Sequence, residues 1–197
     1  MTTPAELDIR LLTPQLWDDL VALFGDRGAY SGCWCMWWRL SGREFDANGN
    51  AGNREAFREL VSDERRPGLL GYLDGSPVGW VSVAPRPQFP RLLRSPLLGV
   101  AAEAADDDAV WSINCFYVDR RHRGTGVATA LLHAAVRHAA AGGARYVEAY
   151  PVDPDVQRRS NAGSFTGVTA MFEAAGFREV ERRKAARPIY RREVSAT

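Results

Sequence analysis

The chain has 197 residues, of which 46% are hydrophobic and 25% charged, an ordinary globular mixture that excludes disordered, collagen-like and coiled-coil classes. Its 25 basic and 24 acidic side chains nearly cancel to a net charge of +1, so no global field draws it to nucleic acid or to an anionic membrane. No stretch approaches the ~18 apolar residues of a membrane span. The length favours one domain over residues 1–197. Cys33, Cys35 and Cys115 are too few for a disulfide scaffold and lack a second close pair for zinc, so no metal is expected. Met1 to Arg10 carries Glu6 and Asp8 and does not read as a secretory signal, which makes the cytoplasm the expected address.

In chain order, Leu7 to Leu12 alternates as a first strand, and Pro14 opens an amphipathic helix through Phe24, with Leu16, Leu20 and Leu23 on one face. Gly25 to Gly32 is rich in turn residues. Asn50 to Asp63 is a predicted helix that stops before Pro67. Leu69 to Leu73 and Pro77 to Val83, joined by Asp74, Gly75 and Ser76, form a predicted hairpin. Four prolines from Pro85 to Pro96 mark an irregular connection, and Asp106 to Asp108 read as a solvated loop. Val110 to Val118 is an apolar strand, after which Ala128, Leu132, Ala135, Val136 and Ala139 recur at helical spacing until Gly142 and Gly143. Arg145 to Tyr150 is the next strand, so strand, helix and strand imply a parallel pair with a right-handed crossover. A helix from about Ser164 to Gly176 and strands at Phe177 to Arg182 and Pro188 to Val194 complete the chain. The pattern is α/β, a mixed twisted sheet flanked by helices.

The informative segment is Cys115 to Thr129, C-F-Y-V-D-R-R-H-R-G-T-G-V-A-T. Glycines between a strand and a helix let backbone N–H groups close on an anion at the positive end of the helix dipole. It is no Walker A loop, because no Lys followed by Ser or Thr comes after the glycines. A dinucleotide fingerprint finds Gly124, Gly126 and an acid at Glu148, but its third glycine is replaced by Thr129 and too little chain follows for a second nucleotide-binding half. Phe116 to Ala128 resembles motif A of the GNAT superfamily of N-acetyltransferases, a strand ending in Val and then [QR]-x-x-G-x-[GA], with Arg121, Gly124 and Gly126 in the three named places. Ala170 to Phe177, A-M-F-E-A-A-G-F, is similar to a later motif of that family, and the resemblance covers about residues 109–183.

The resemblance implies acetyl-CoA as co-substrate and transfer of its acetyl group to a primary amine on a small molecule or peptide. It places the pyrophosphate over the N–H groups of Arg121, Arg123, Gly124, Thr125, Gly126, Val127, Ala128 and Thr129, and the pantetheine arm beside Phe116, Tyr117 and Val118. A fixed N–H near Phe116 is the expected oxyanion donor. This sequence departs from the family where a glutamate base and a tyrosine acid are common: the equivalent positions are Ser112 and Asn114, and Phe172. A non-catalytic acyl-CoA-binding module is therefore the rival reading.

Glu148 and Tyr150 share a strand face and are the substitute candidates for proton transfer, against a purely structural alternative; Ser164 and Thr166 are candidate water-holding hydroxyls. Cys115 has no histidine beside it in sequence to activate it as a nucleophile. The stretch Gly32 to Arg39, G-C-W-C-M-W-W-R, concentrates Trp34, Trp37 and Trp38. By the resemblance it borders the acceptor cleft, where aromatic faces suit an apolar acceptor or a protonated amine; the alternative is a hydrophobic lid or homodimer contact. The arginine-rich end from Arg182 to Arg192 reads as a solvated edge strand, and His122, His133 and His138 as solvated positions.

Overall fold

The protein is described by a computed structural model over residues 7–63, 65–99, 109–156 and 163–194. Its strands are β1 (Asp8–Leu11), β2 (Gly68–Leu73), β3 (Ser76–Pro85), β4 (Val110–Val118), β5 (Tyr146–Ala149), β6 (Arg178–Glu181) and β7 (Ile189–Glu193). The helices are α1 (Trp17–Phe24), α2 (Gly42–Ser62), α3 (Pro90–Leu93), α4 (Val127–Ala141) and α5 (Thr169–Ala174). The seven strands form one sheet in the order β1-β2-β3-β4-β5-β7-β6, antiparallel throughout except for the parallel pair β4 and β5. That parallel pair is joined through α4, as the strand, helix and strand pattern requires.

Period-two alternation distributes the apolar side chains to both faces of the sheet. On one face Leu69, Val81, Val83, Ile113 and Val147 meet Leu131, Leu132, Ala135 and Ala139 of α4, and Phe172 and Phe177 close that layer. On the other, Leu70, Tyr72 and Trp80 meet Leu20, Leu23 and Phe24 of α1 and Phe57 and Val61 of α2. The second layer is mostly aromatic: Phe57 and Phe24 stand edge-on to Trp80, with ring centroids 5.9 and 6.1 Å apart.

Three elements differ from the sequence expectation. The helix predicted from Asn50 begins at Gly42 and is broken at Gly49 (φ 57°, ψ −161°); Ser41 and Glu44 form a reciprocal capping box at its start. The single helix expected from Ser164 is a 3-10 turn (Gly163–Thr166) and then α5, because Gly167 takes φ 76° between them. The last strand is not an edge: β7 lies between β5 and β6. The acidic triplet Asp106 to Asp108 lies outside the described residues.

Candidate active site

A cleft opens where β4 outruns its parallel neighbour. Pairing of β4 with β5 ends at Ile113↔Ala149, whereas β4 continues to Val118. On its other side, Ser82 pairs with Cys115 and Val83 with Ile113, so Asn114 is an extra residue that bends the strand. The exposed strand edge borders a groove of about 920 Å³. Its walls are Phe116, Tyr117 and Val118 of β4, the glycine turn, and Phe165, Gly167, Val168 and Met171.

At the turn, Gly124 (φ 80°) and Gly126 (φ 90°) occupy left-handed conformations, and a Cβ on either would meet no protein atom within 4 Å. Their missing side chains leave the floor of the groove open. Gly126 caps α4 without any side-chain hydrogen bond, so the first-turn N–H groups of Val127, Ala128 and Thr129, all on the groove wall, are left for a ligand. His122 and Arg123 also line this end, and Arg123 is pinned by its Nε donating to the Val118 carbonyl at 3.1 Å.

Two of the residues expected at the phosphate lie off the groove wall. The Arg121 amide and Nε both donate to Asp119 Oδ1, at 2.9 and 3.0 Å, and its side chain lines a separate recess with Leu73 and Pro77. Thr125 donates its hydroxyl to the His122 carbonyl at 2.7 Å and is absent from the groove wall. Both residues shape the turn; neither reaches into the groove.

A second, smaller cavity of about 260 Å³ adjoins the first and shares Ala29, Tyr30 and Phe165 with it. The rings of Tyr30 and Phe165 lie 5.2 Å apart at this junction. Cys33, Cys35, Trp37, Trp38 and Phe45 form one side, Asn114 and Cys115 the base, and Thr166 and Arg187 the other side. The wall is a tightly wound loop in which Ala29, Ser31, Trp34 and Cys35 all take positive φ. Asparagines of α2 hold it in shape: Asn50 accepts from Trp34 Nε1 at 2.6 Å and donates to the Asp26 carbonyl at 2.8 Å, and buried Asn53 donates to the Gly32 carbonyl at 3.1 Å.

Trp37 and Trp38 thus border the cavity as the sequence suggests, but Trp34 does not. It is 2% exposed, stacked on Trp17 in the aromatic layer, and serves as the anchor of the loop. Among the described residues no histidine lines the small cavity. Contact with Cys115 Sγ at 3.8 Å and burial hold the Cys35 thiol well above its ordinary pKa, and burial pushes Cys33 up to about 11, so these sulfurs stay protonated.

Glu148 and Tyr150 do share a face, and the Tyr150 hydroxyl donates to Glu148 Oε2 at 3.1 Å. The structure does not bring them to either cavity wall. Glu148 is 0% exposed and also receives Arg86 Nη1 at 3.1 Å and Arg191 Nη2 at 2.5 Å, while Ser112 Oγ lies 3.0 Å from the Tyr150 hydroxyl. Burial, then the Glu148 charge, raises the Tyr150 hydroxyl well above its ordinary value, which makes it a poor acid. The pair is the centre of a closed polar network within the sheet. This also corrects the reading of the arginine-rich end, since Arg191 enters that network and Arg187 enters the cavity.

Sequence reasoning missed Tyr30, Phe165 and Arg187 as cavity residues. Tyr30 sits in a turn-rich segment with no pattern to single it out, and Arg187 is hidden among charged neighbours.

Residues 34–177 match the family model "Acetyltransferase (GNAT) family". No curated protein matches the sequence. Among solved structures, a GNAT-family acetyltransferase from Listeria monocytogenes superposes with a TM-score of 0.59 at 14% identity, covering 98% of this chain and 99% of the other. An N-acetyltransferase from Staphylococcus aureus gives 0.56 at 16% identity, covering 96% and 99%. The PaiA N-acetyltransferase from Thermoplasma acidophilum, solved with coenzyme A, gives 0.53 at 15%, covering 96% and 99%. These likenesses share the fold, and the family match spans most of the chain. The chain belongs to the GNAT acetyltransferase family.

Proposed function

We propose that the protein transfers an acetyl group from acetyl-CoA to a primary amine by direct attack. The observation that carries this reading is the junction at Tyr30 and Phe165, where a phosphate-suited groove adjoins a small apolar cavity. The N–H groups at Val127 to Thr129 suit the pyrophosphate, and the free edge of β4 from Asn114 to Val118 suits the amide-bearing arm, which would bond to it as an added strand does. The acceptor nitrogen would attack the thioester carbon from the small cavity. A nitrogen–carbon bond forms, the carbon–sulfur bond breaks, the nitrogen loses one proton and the departing thiolate gains one. Negative charge developing on the carbonyl oxygen would be met by a fixed backbone N–H near the bend at Asn114 to Phe116.

Among the described residues, neither cavity is lined by a carboxylate. The proton therefore leaves the amine to water, and positioning supplies most of the acceleration. Tyr30, which borders both cavities and is 43% exposed, is the hydroxyl best placed to return a proton to the thiolate in place of the tyrosine that Phe172 replaces. Phe172 itself is 0% exposed and packed against Phe116 and Phe177.

A ligand at ~100 times its Kd stabilises the folded state by about 2.7 kcal/mol. For a domain of this size that raises Tm by about 5 to 10 °C. Acetyl-CoA should produce this shift, NAD and ATP much less, and coenzyme A thiol should be released when an amine panel is added. A shift with NAD and none with acetyl-CoA would overturn the groove assignment. Binding without turnover of any amine would favour the non-catalytic acyl-CoA-binding module.

A further inference from the structure

The chemistry of the small cavity restricts the acceptor. Its walls are apolar and aromatic over most of their extent, and among the described residues they contain no carboxylate to hold a cation. The one full charge on them among the described residues is the Arg187 guanidinium. Arg182, Arg183 and Arg191 in the same stretch of chain each face a carboxylate: Asp153 and Glu179, Glu181, and Glu148. Among the described residues, half-buried Arg187 faces only the Thr166 hydroxyl, 3.2 Å from its Nη1. Burial alone lowers its pKa, so the charge is partly desolvated without compensation.

A second donor points the same way. Asn114 lines the base of this cavity, is 3% exposed, and its Nδ2 has no hydrogen-bond partner. Leaving such a donor buried and unmet is costly, and a ligand acceptor atom would relieve it.

The aromatic wall does not offer itself to a cation either. The Trp37 ring already carries the Arg91 guanidinium 3.5 Å from its centroid. Behind the wall, buried Arg39 donates to the Gln88 carbonyl and side chain and has no carboxylate partner among the described residues. A polycationic acceptor would meet the Arg187 guanidinium, with Arg91 and Arg39 packed against or behind the wall, and no counter-charge among the described lining residues.

We propose that the cavity takes an amine that also bears a carboxylate on a compact apolar or aromatic body, the carboxylate resting on Arg187 and the apolar body against Trp37 and Trp38. Its volume, about 260 Å³, lies below the ~300–1,000 Å³ of pockets for drug-sized ligands, so the acceptor is of hydrophobic amino-acid size. This substrate class rests on the acetyl-transfer reading above.

The test is coenzyme A thiol release with matched acceptors: phenylalanine against phenylalanine amide and phenethylamine, leucine against leucine amide, and spermidine as the cationic extreme. The acids should exceed their matched amides at least ~10-fold in kcat/KM, because a hydrogen-bonded charge pair is lost in the amide. Arg187→Gln should bring the acids down to the level of the amides, mainly through KM, and Arg187→Lys should restore part of the difference. An acetyl-CoA thermal shift equal to wild type checks that each variant is folded; should Arg187→Gln not fold, the wild-type comparison and Arg187→Lys still decide. Amides as good as acids, a preference for spermidine, or equal loss for acids and amides in Arg187→Gln would overturn the proposal. So would failure to acetylate any acid while another amine of the panel is acetylated, which leaves the acyl-transfer reading standing. Absence of the acetyl-CoA shift would remove both.

Discussion

Arg191 and Arg187 lie four positions apart at the end of the chain, yet the protein treats their charges in opposite ways. Arg191 meets Glu148, whose carboxylate is also held by Arg86 and Tyr150, so each guanidinium in that cluster touches the shared carboxylate. Arg187 meets a hydroxyl and an open cavity. A buried charge whose partners are all supplied by the chain fixes architecture, here the joint between β3, β5 and β7. A half-buried charge left short of partners is a place for a ligand. The distinction separates residues that shape the sheet from residues that meet substrate, although all are polar side chains near the same cleft.

The sharpest way to break this contrast is to empty the closed cluster. Glu148→Ala leaves Arg86, 1% exposed, without its carboxylate, and removal of one partner of a buried ion pair costs about 3–5 kcal/mol. Tm should fall by roughly 6 to 20 °C, measured by calorimetry, while the folded fraction still binds acetyl-CoA. If instead Tm holds and turnover collapses, Glu148 is a proton carrier after all and the division between shaping and reacting residues fails.

Next in size is the glycine turn. Gly126→Val puts a side chain into space where no protein atom lies within 4 Å and forces a β-branched residue to φ 90°. Acetyl-CoA affinity should fall by ~100-fold or more by calorimetric titration, since the new methyl groups occupy the phosphate position. Wild-type affinity in a folded Gly126→Val protein would place the ligand elsewhere. Tyr30→Phe keeps the ring against Phe165 and removes the hydroxyl, and should lower kcat by ~100-fold with little change in acetyl-CoA affinity. An unchanged kcat would assign the thiolate's proton to water.

How much of this was legible in the sequence follows from how far apart the contributing residues lie. The groove is written in one contiguous run, Phe116 to Thr129, because a strand end, a glycine turn and a helix start are successive in the chain. Alternation correctly put Glu148 and Tyr150 on one face. It does not say whether that face looks toward a cavity or toward two arginines distant in sequence, Arg86 and Arg191. The small cavity is assembled from Tyr30 to Phe45, Asn114 and Cys115, and Phe165 to Arg187, so no local period marks it. Trp34, Trp37 and Trp38 show the limit within a single run. They lie within five residues, but a loop with positive φ at Trp34 and Cys35 turns the first into the core and leaves the other two on the cavity.

His138 offers a third way of handling charge, and the smallest effect. It is half-buried on α4, with Trp111 standing edge-on to its ring, centroids 5.4 Å apart, and its Nε2 has no hydrogen-bond partner. Burial, and then the nearby Arg66 charge, lowers its pKa below the ordinary 6.5, so the imidazole is kept neutral where Glu148 is kept paired. A pKa depressed on folding means that the unfolded chain binds the proton more readily at acid pH. The stability of the neutral form is therefore complete above pH ~6.5 and is lost as pH falls through the folded-state pKa. Titration of the imidazole protons by NMR should find His138 below the ordinary 6.5, and Arg66→Gln should bring it part of the way back. A His138 that titrates at or above 6.5 would mean that it holds its charge against both burial and Arg66, and that an acidic partner compensates it.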